Sequence, residues 1–317
     1  MHGGTIPHMH FAVIGAGNMG CVYGGNLARI GQEVSLIDVW DAHVRAIQQD
    51  GLRMTGLKGS YTVRPRATTV PAEIPKADAA LICVNAYSTA EAAQAASIVL
   101  KDNGYALTLQ NGVGNVETLA GILGQHRVLA GLSFQSGDLE APGKVSHTNN
   151  GETYLGELDR SRTERLEKIR GLMEDAGLNP VIVDDVVSTI WAKFVHNCGI
   201  NALCAISGLR PGEIQEVPAF DEFQTRIIQE AVALVRAKGI QLPEDPLHTI
   251  KEYCAHKFHR PSMMQHLDRG QITEIDALNG YVASESPKLG LSAPCNDALT
   301  RIMHGRQHRT RRPAEQQ

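Results

Sequence analysis

Short apolar runs alternate with helix-period stretches through the first half of the chain. His10–Ile14 (HFAVI) reads as a buried strand, a glycine-rich turn follows, and a helical pattern continues to about Ile30. Glu33–Ile37 and residues 79–84, 105–109, 127–132 and 180–183 read as further buried strands. Between them, residues 42–49, 90–100, 116–123 and 162–176 carry helical periodicity. Strands alternating with helices predict an α/β fold with a doubly wound, parallel Rossmann sheet. Residues 134–158 break the rhythm, and their turn formers predict short antiparallel strands at the sheet's edge.

From Val186 onward the strand pattern stops. Residues 186–206 read as one long apolar helix, and residues 219–238, 246–254 and 275–286 as others, with Pro211-Gly212, Gly239 and Pro243 punctuating the joins. At 317 residues the chain is long enough for two domains. The expected division is a dinucleotide-binding Rossmann domain over 9–185 and an all-α substrate and catalytic domain over 186–317.

Composition narrows the function. An apolar fraction of 43% and a charged fraction of 20% are those of an ordinary globular protein. A net charge of −4 argues against nucleic acid as a partner. The exception, a run of Arg and His over 301–312, reads as a solvated end. Six scattered cysteines without a Cys-x-x-Cys pair predict reduced thiols and a cytoplasmic protein. No apolar run reaches the roughly 18 residues of a membrane helix. The first residues lack a signal-peptide pattern, and Met9 reads as the natural start. The helices of the second domain offer a surface for a homodimer.

Gly15, Ala16, Gly17, Asn18, Met19 and Gly20 spell G-x-G-x-x-G. That string is weak evidence alone, but here it follows a strand and opens a helix. Gly15 permits a tight turn, Gly17 lets the backbone approach a pyrophosphate, and Gly20 allows close helix–strand packing. Phosphates then meet the helix's unpaired N–H groups and positive dipole end. Asp38 ends the second strand, 18 residues after Gly20. A carboxylate there accepts both hydrogen bonds of an adenosine ribose diol, which favours NAD(H) and opposes a 2′-phosphate. Capping of the following turn is the other role open to it. The nearest following cation, Arg45, lies a helix away in sequence.

The chemistry sits on the long apolar helix. In Trp191-Ala-Lys193-Phe-Val-His-Asn197-Cys-Gly-Ile-Asn201, the residues Lys193, Asn197 and Asn201 recur every four positions, which stacks them on one face. A buried lysine with two amides is costly without partners. In a dehydrogenase the substrate's carbonyl and carboxylate oxygens would supply them: Lys193 would protonate the carbonyl oxygen as hydride arrives, provided burial brings its pKa toward neutrality, while the two amides would orient and polarise the oxygens. A polar seam joining the domains is the alternative. Downstream, Ser262 suits a substrate carboxylate, and Thr273 reads as a helix N-cap that puts Glu274 in the first turn. Plain capping would also account for Ser262 and Glu274.

Taken together, GAGNMG at 15–20, LQNGVGN at 109–115, WAKFVHNCGINAL at 191–203 and PSMMQHLDRGQITEIDALNG at 261–280 resemble the ketopantoate reductase family over almost the whole chain. The resemblance implies reduction of ketopantoate to pantoate, a D-(R)-2-hydroxy acid, with NADP(H) the cofactor of many members. It also implies Lys193 as general acid, Asn197, Asn201 and Ser262 as substrate-binding residues, Glu274 as a supporting carboxylate, and Asn111 as an amide facing nicotinamide and substrate. There are departures. Asn85 stands where the family usually carries a lysine that helps hold cofactor and substrate, and His266 and Gln271 where it commonly has Asp and Arg. Asp38 and Asn85 lean toward the NAD-dependent members that resemble D-2-hydroxyacid (D-mandelate-type) dehydrogenases.

Other readings carry less. His248, His256, His259 and His266 are spaced by eight, three and seven, which fits no compact zinc motif, so no metal is expected. No nucleophile elbow supports a hydrolase. A dinucleotide-binding redox sensor would keep GAGNMG but has no need of Lys193 in an apolar helix.

Overall fold

The computed structural model describes residues 8–310. In chain order its first elements are β1 (His10–Ile14), α1 (Asn18–Arg29), β2 (Glu33–Ile37), α2 (Asp41–Asp50), β3 (Leu52–Gly56), β4 (Tyr61–Val63), β5 (Arg66–Thr68) and β6 (Ala77–Ile82). They continue with α3 (Thr89–Val99), β7 (Leu100–Thr108), α4 (Asn115–Leu123), β8 (Val128–Ala141), β9 (Lys144–Glu157), α5 (Glu164–Asp175) and β10 (Pro180–Ile182). Seven helices follow: α6 (Val186–Ser207), α7 (Pro211–Glu216), α8 (Pro218–Ala237), α9 (Pro246–Ala255), α10 (Ser262–Asp268), α11 (Asn279–Glu285) and α12 (Pro294–Thr310). The chain forms two compact units that meet in sequence at Val187 and Ser188. Unit one is α/β and unit two is all-α, the class expected from the alternating pattern.

Strands β5-β2-β1-β6-β7-β8 lie side by side and parallel. β1 is fully buried because both sheet faces are covered, which is why HFAVI is apolar throughout. β1 is also the strand from which the chain winds outward in both directions, to β2 on one side and β6 on the other, so the crevice beyond its carboxyl end suits a ligand. The core on the two faces is built from Phe11, Val13, Leu36 and Leu107 on one and Ile14, Ile82, Ala93 and Leu119 on the other.

The sheet is mixed: β9 runs antiparallel to β8, as the pattern over 134–158 predicts, and β4 runs antiparallel to β3. The edge placement of 134–158 needs correction. Residues 134–158 belong to two 14-residue strands inside the sheet, with β3 beyond β9. Their polar residues look like an edge but are satisfied from elsewhere in the unit: Tyr23 Oη reaches Ser133 Oγ (2.7 Å) and Thr153 Oγ1 (2.8 Å), and Gln135 Nε2 donates to Leu178 O (3.1 Å). Finally, β3, β4 and β5 are short and half polar, so no periodicity announced them.

In unit two, residues 275–286 are not one helix. Leu278 leaves helical geometry (φ −118°, ψ −103°) and divides a 3₁₀ turn over Ile275–Ala277 from α11. Thr273 does not cap; its hydroxyl is buried without a partner and Glu274 precedes the 3₁₀ turn instead. Much of the basic run over 301–312 lies on α12, where Arg301 pairs with Asp297 (2.8 Å) and Arg306 donates to carbonyls of α6, so it is not simply a solvated end. The end of that run and residues 1–7 fall outside the described residues. Among the described residues no helix is long and apolar enough to cross a membrane, and no group of three or more His, Cys, Asp and Glu side chains could hold a metal ion.

Candidate active site

The glycine loop is shaped by steric needs that only glycine meets. Gly15 has φ +92°, and a Cβ there would lie 2.7 Å from the backbone nitrogen of Val84, at the end of β6. A Cβ on Gly20 would stand 1.9 Å from Gly15 O, so α1 packs on the turn with no space for a methyl. Gly17, the N-cap of α1, has nothing within 4 Å of its missing Cβ. That open space lies beside the first-turn N–H groups of α1, which no helical carbonyl can satisfy. A pyrophosphate fits this combination of room, donors and dipole.

Two loop residues are committed structurally. Asn18 Oδ1 accepts from Leu139 N of β8 (3.1 Å), and Met19 packs half-buried against the core. Asp38 Oδ2 accepts from Ala16 N (2.7 Å) and Oδ1 from Trp40 N (2.9 Å). The carboxylate thus caps the following turn, as one reading of the sequence had it, and also fixes the glycine loop. Each oxygen keeps further acceptor capacity. Arg45 is bound to Asp41 (2.9 Å), so it is not a free cation beside Asp38.

Asn85 follows β6 and is exposed, its amide donating to Tyr87 Oη (2.8 Å). Asn111 is half-buried in the loop between β7 and α4. A buried polar bridge ties these two loops together: Gln110 Nε2 donates to Val84 O (3.0 Å) and Thr89 Oγ1 (2.9 Å), Thr89 Oγ1 to Asn115 Oδ1 (2.8 Å), and Asn115 Nδ2 to Asn111 O (3.0 Å). Gln110 and Asn115 lie within the LQNGVGN motif, but their bonds to Val84 and Thr89 span 21 to 26 residues, and Thr89 itself carries no local signal.

In unit two, α6 carries Lys193, Asn197 and Asn201 on one face. Burial pushes the Lys193 ammonium down to about 8, and the Glu274 carboxylate partly opposes that shift. Asn197 is half-buried and Asn201 only 8% exposed, yet neither side chain has a hydrogen-bond partner among the described residues. Neither amide is sealed from solvent. Two amides left open in this way beside a lysine lowered to about 8 are donors that an oxygen-rich small molecule could accept from. Ser262 is the exposed first residue of α10, with no side-chain cap, so plain capping does not explain it.

The rear of α6 is fixed by residues that the sequence reading missed. Trp191 and Phe194 pack edge-on with Tyr281 of α11 (6.0 and 5.8 Å between centroids). Asn279 Nδ2 reaches Cys198 O (3.0 Å) and Asn296 Oδ1 (2.9 Å), and Asn296 Nδ2 donates to Glu230 Oε2 (2.7 Å). Arg306 donates to Ala205 O (2.7 Å) and Ile206 O (2.8 Å), placing a cation at the negative end of α6. Gln307 Oε1 accepts from Thr273 N (3.1 Å), next to Glu274.

A Rossmann glycine loop with open space beside Gly17, followed by a helical unit with a buried lysine, defines the class: dinucleotide-dependent oxidoreductases with a separate helical unit. The chain belongs to the ketopantoate reductase family; the profile described as ketopantoate reductase PanE/ApbA matches residues 11–160, and its C-terminal counterpart matches 185–307. It is 30% identical to the 2-dehydropantoate 2-reductase of Halobacterium salinarum over 90% of this chain and 95% of that protein. The crystal structure of a PanE/ApbA family ketopantoate reductase from Ralstonia eutropha JMP134 superposes with a TM-score of 0.88 at 32% identity, covering 96% of this chain and 100% of that one. A ternary structure of D-mandelate dehydrogenase with NADH and anilino(oxo)acetate shares the fold at TM-score 0.86 and 24% identity, over 95% and 99% of the two chains.

Proposed function

We propose that this chain reduces a small 2-oxo acid to its D-(R)-2-hydroxy acid with NAD(P)H, and that ketopantoate is the substrate, which makes it a 2-dehydropantoate 2-reductase. One observation carries the reading: Lys193, lowered to about 8, shares a helix face with two amides that have no hydrogen-bond partner among the described residues. Family membership supports ketopantoate as the substrate.

Gly15, Gly17, Gly20 and the first turn of α1 hold the pyrophosphate, and Asp38 takes the ribose. The bound nicotinamide supplies the hydride that the carbonyl carbon gains. Lys193 Nζ gives its proton to the carbonyl oxygen, so the product leaves as an alcohol and the lysine as a neutral amine. With a pKa of about 8, roughly nine-tenths of the lysine is charged at pH 7 and its proton is still readily given up. Asn197 and Asn201 donate to the oxygens where charge develops. Ser262 binds the carboxylate, Asn111 orients the carbonyl, and Glu274 keeps Lys193 protonated between turnovers. Six unpaired cysteines fit a cytoplasmic, reducing setting.

The preferred cofactor is NADH. Asp38 is fixed by two backbone N–H groups and the next cation, Arg45, is already paired, so a 2′-phosphate would meet an uncompensated carboxylate. The same Asp38, with Asn85 in place of a lysine, favours a second reading as an NAD-dependent D-2-hydroxyacid dehydrogenase. Steady-state kinetics with ketopantoate, 2-oxoisovalerate and phenylglyoxylate, each with NADH and NADPH, decides between them. Ketopantoate should show the highest kcat/KM. Preference for phenylglyoxylate would favour the second reading, and no turnover with any of the three would remove both.

A further inference from the structure

His196 stands one turn beyond Lys193 on α6 and directly before Asn197, so the three are neighbours on one side of the helix. Its imidazole is half-buried. Burial first, and then the positive charges of Lys193 and His259, lower its pKa to about 4, so it is neutral at physiological pH. Lys193 lies three residues earlier on the same helix, so the two side chains leave it on one side. The ring packs edge-on against Tyr253 of α9, with centroids 4.5 Å apart and planes at 75°. Tyr253 meets His259 in the same way at 6.2 Å, three residues before Ser262.

Beyond the contact with Tyr253, neither ring nitrogen has a hydrogen-bond partner among the described residues, and neither is sealed from solvent. A neutral imidazole offers one donor and one acceptor. An aliphatic residue here would have no such donor and acceptor to satisfy. The tautomer is free to follow the ligand, because nothing in the protein fixes it.

We propose that His196 is a specificity-determining residue, whose imidazole hydrogen-bonds a hydroxyl on the side chain of the 2-oxo acid while the Tyr253 ring walls the same space. This rests on the reading of α6 as the 2-oxo acid site. A site built to bond a hydroxyl rejects the analogue that lacks it, because its own polar atoms are then left bare.

Ketopantoate and 3,3-dimethyl-2-oxobutanoate differ only by that hydroxyl, so the full-length protein is assayed with both, as wild type, His196→Phe and His196→Asn. The wild type should prefer ketopantoate by at least about tenfold in kcat/KM. His196→Phe should lower kcat/KM for ketopantoate by about 10- to 100-fold and change the other substrate by no more than about threefold, and His196→Asn should recover part of the preference. A wild-type ratio near one overturns the proposal even if a variant fails to fold, as does an equal loss on both substrates. Wild-type turnover of neither acid would instead remove the 2-oxo acid reading on which the proposal stands.

Discussion

The glycine loop and helix α6 prepare for their ligands by different means. In the loop the binding groups are backbone N–H groups, and the side chains matter mostly by their absence or by being tied back: Gly15 and Gly20 have no space for a Cβ, and Asn18 and Asp38 are bonded to the protein's own backbone. On α6 it is side chains that the proposed mechanism uses, and Asn197 and Asn201 have no hydrogen-bond partner among the described residues. A backbone site is fixed by local sterics, so a short string encodes it. A side-chain site on a buried helix needs support from distant residues, which here are Tyr281, Asn279, Asn296 and Arg306.

The comparison breaks most sharply at Lys193. Replacing it with alanine should lower kcat by about 10²–10⁴-fold with the fold intact, because a proton donor is removed and no backbone support is lost. Circular dichroism alongside steady-state kinetics checks both halves of that statement, and near-normal kcat would end the mechanism.

Gly20→Ala should act in the opposite manner. The new methyl would collide with Gly15 O, so the loop must shift, at a cost of about 1–3 kcal/mol in stability together with weaker dinucleotide binding. Thermal denaturation with and without NADH measures this. An unshifted midpoint and unchanged NADH affinity would show that the loop has slack.

Cofactor choice sharpens the comparison at Asp38. kcat/KM with NADH should exceed that with NADPH by at least about tenfold, from like-charge apposition. Asp38→Asn, which removes the charge but keeps an acceptor for Ala16 N, should narrow that gap. Equal use of both cofactors by the wild type would mean that Asp38 serves only the loop and the turn.

The smallest effect is expected behind α6. Arg306→Ala removes two hydrogen bonds and a favourable charge at the helix end and should cost about 1–2 kcal/mol. Denaturant unfolding reads it, and a change under a few tenths would make Arg306 incidental.

This contrast also explains what was legible in the sequence. G-x-G-x-x-G and the four-residue spacing from Lys193 to Asn201 were visible because both are local: one follows from φ and the absence of Cβ, the other from helical period. Strand β1 and helix α6 are likewise announced by their mostly apolar sequences. The β8–β9 pair was misplaced at an edge because Ser133, Gln135 and Thr153 look solvated until their partners Tyr23 and Leu178 are seen. Thr273 reads as a cap because it is a threonine ahead of an acidic residue, whereas its hydroxyl has no partner among the described residues and Gln307, 34 residues on, holds its backbone. Arg306 and Asn279 carry no local signal, since their meaning lies in carbonyls of α6 some 80 to 100 positions earlier.

The central claim is that burial has tuned Lys193 into the proton donor, with Glu274 holding it up. The most direct test is the pH dependence of kcat/KM for 2-oxo acid reduction, in the wild type and in Glu274→Gln. The donor must be charged, so activity should be present below the lysine's pKa and fall as pH rises through about 8. Glu274 is what raises that pKa against burial, so Glu274→Gln should move the falling limb to lower pH. A wild-type limb near the ordinary lysine value of 10.5, or a limb that stays in place in Glu274→Gln, would contradict the account.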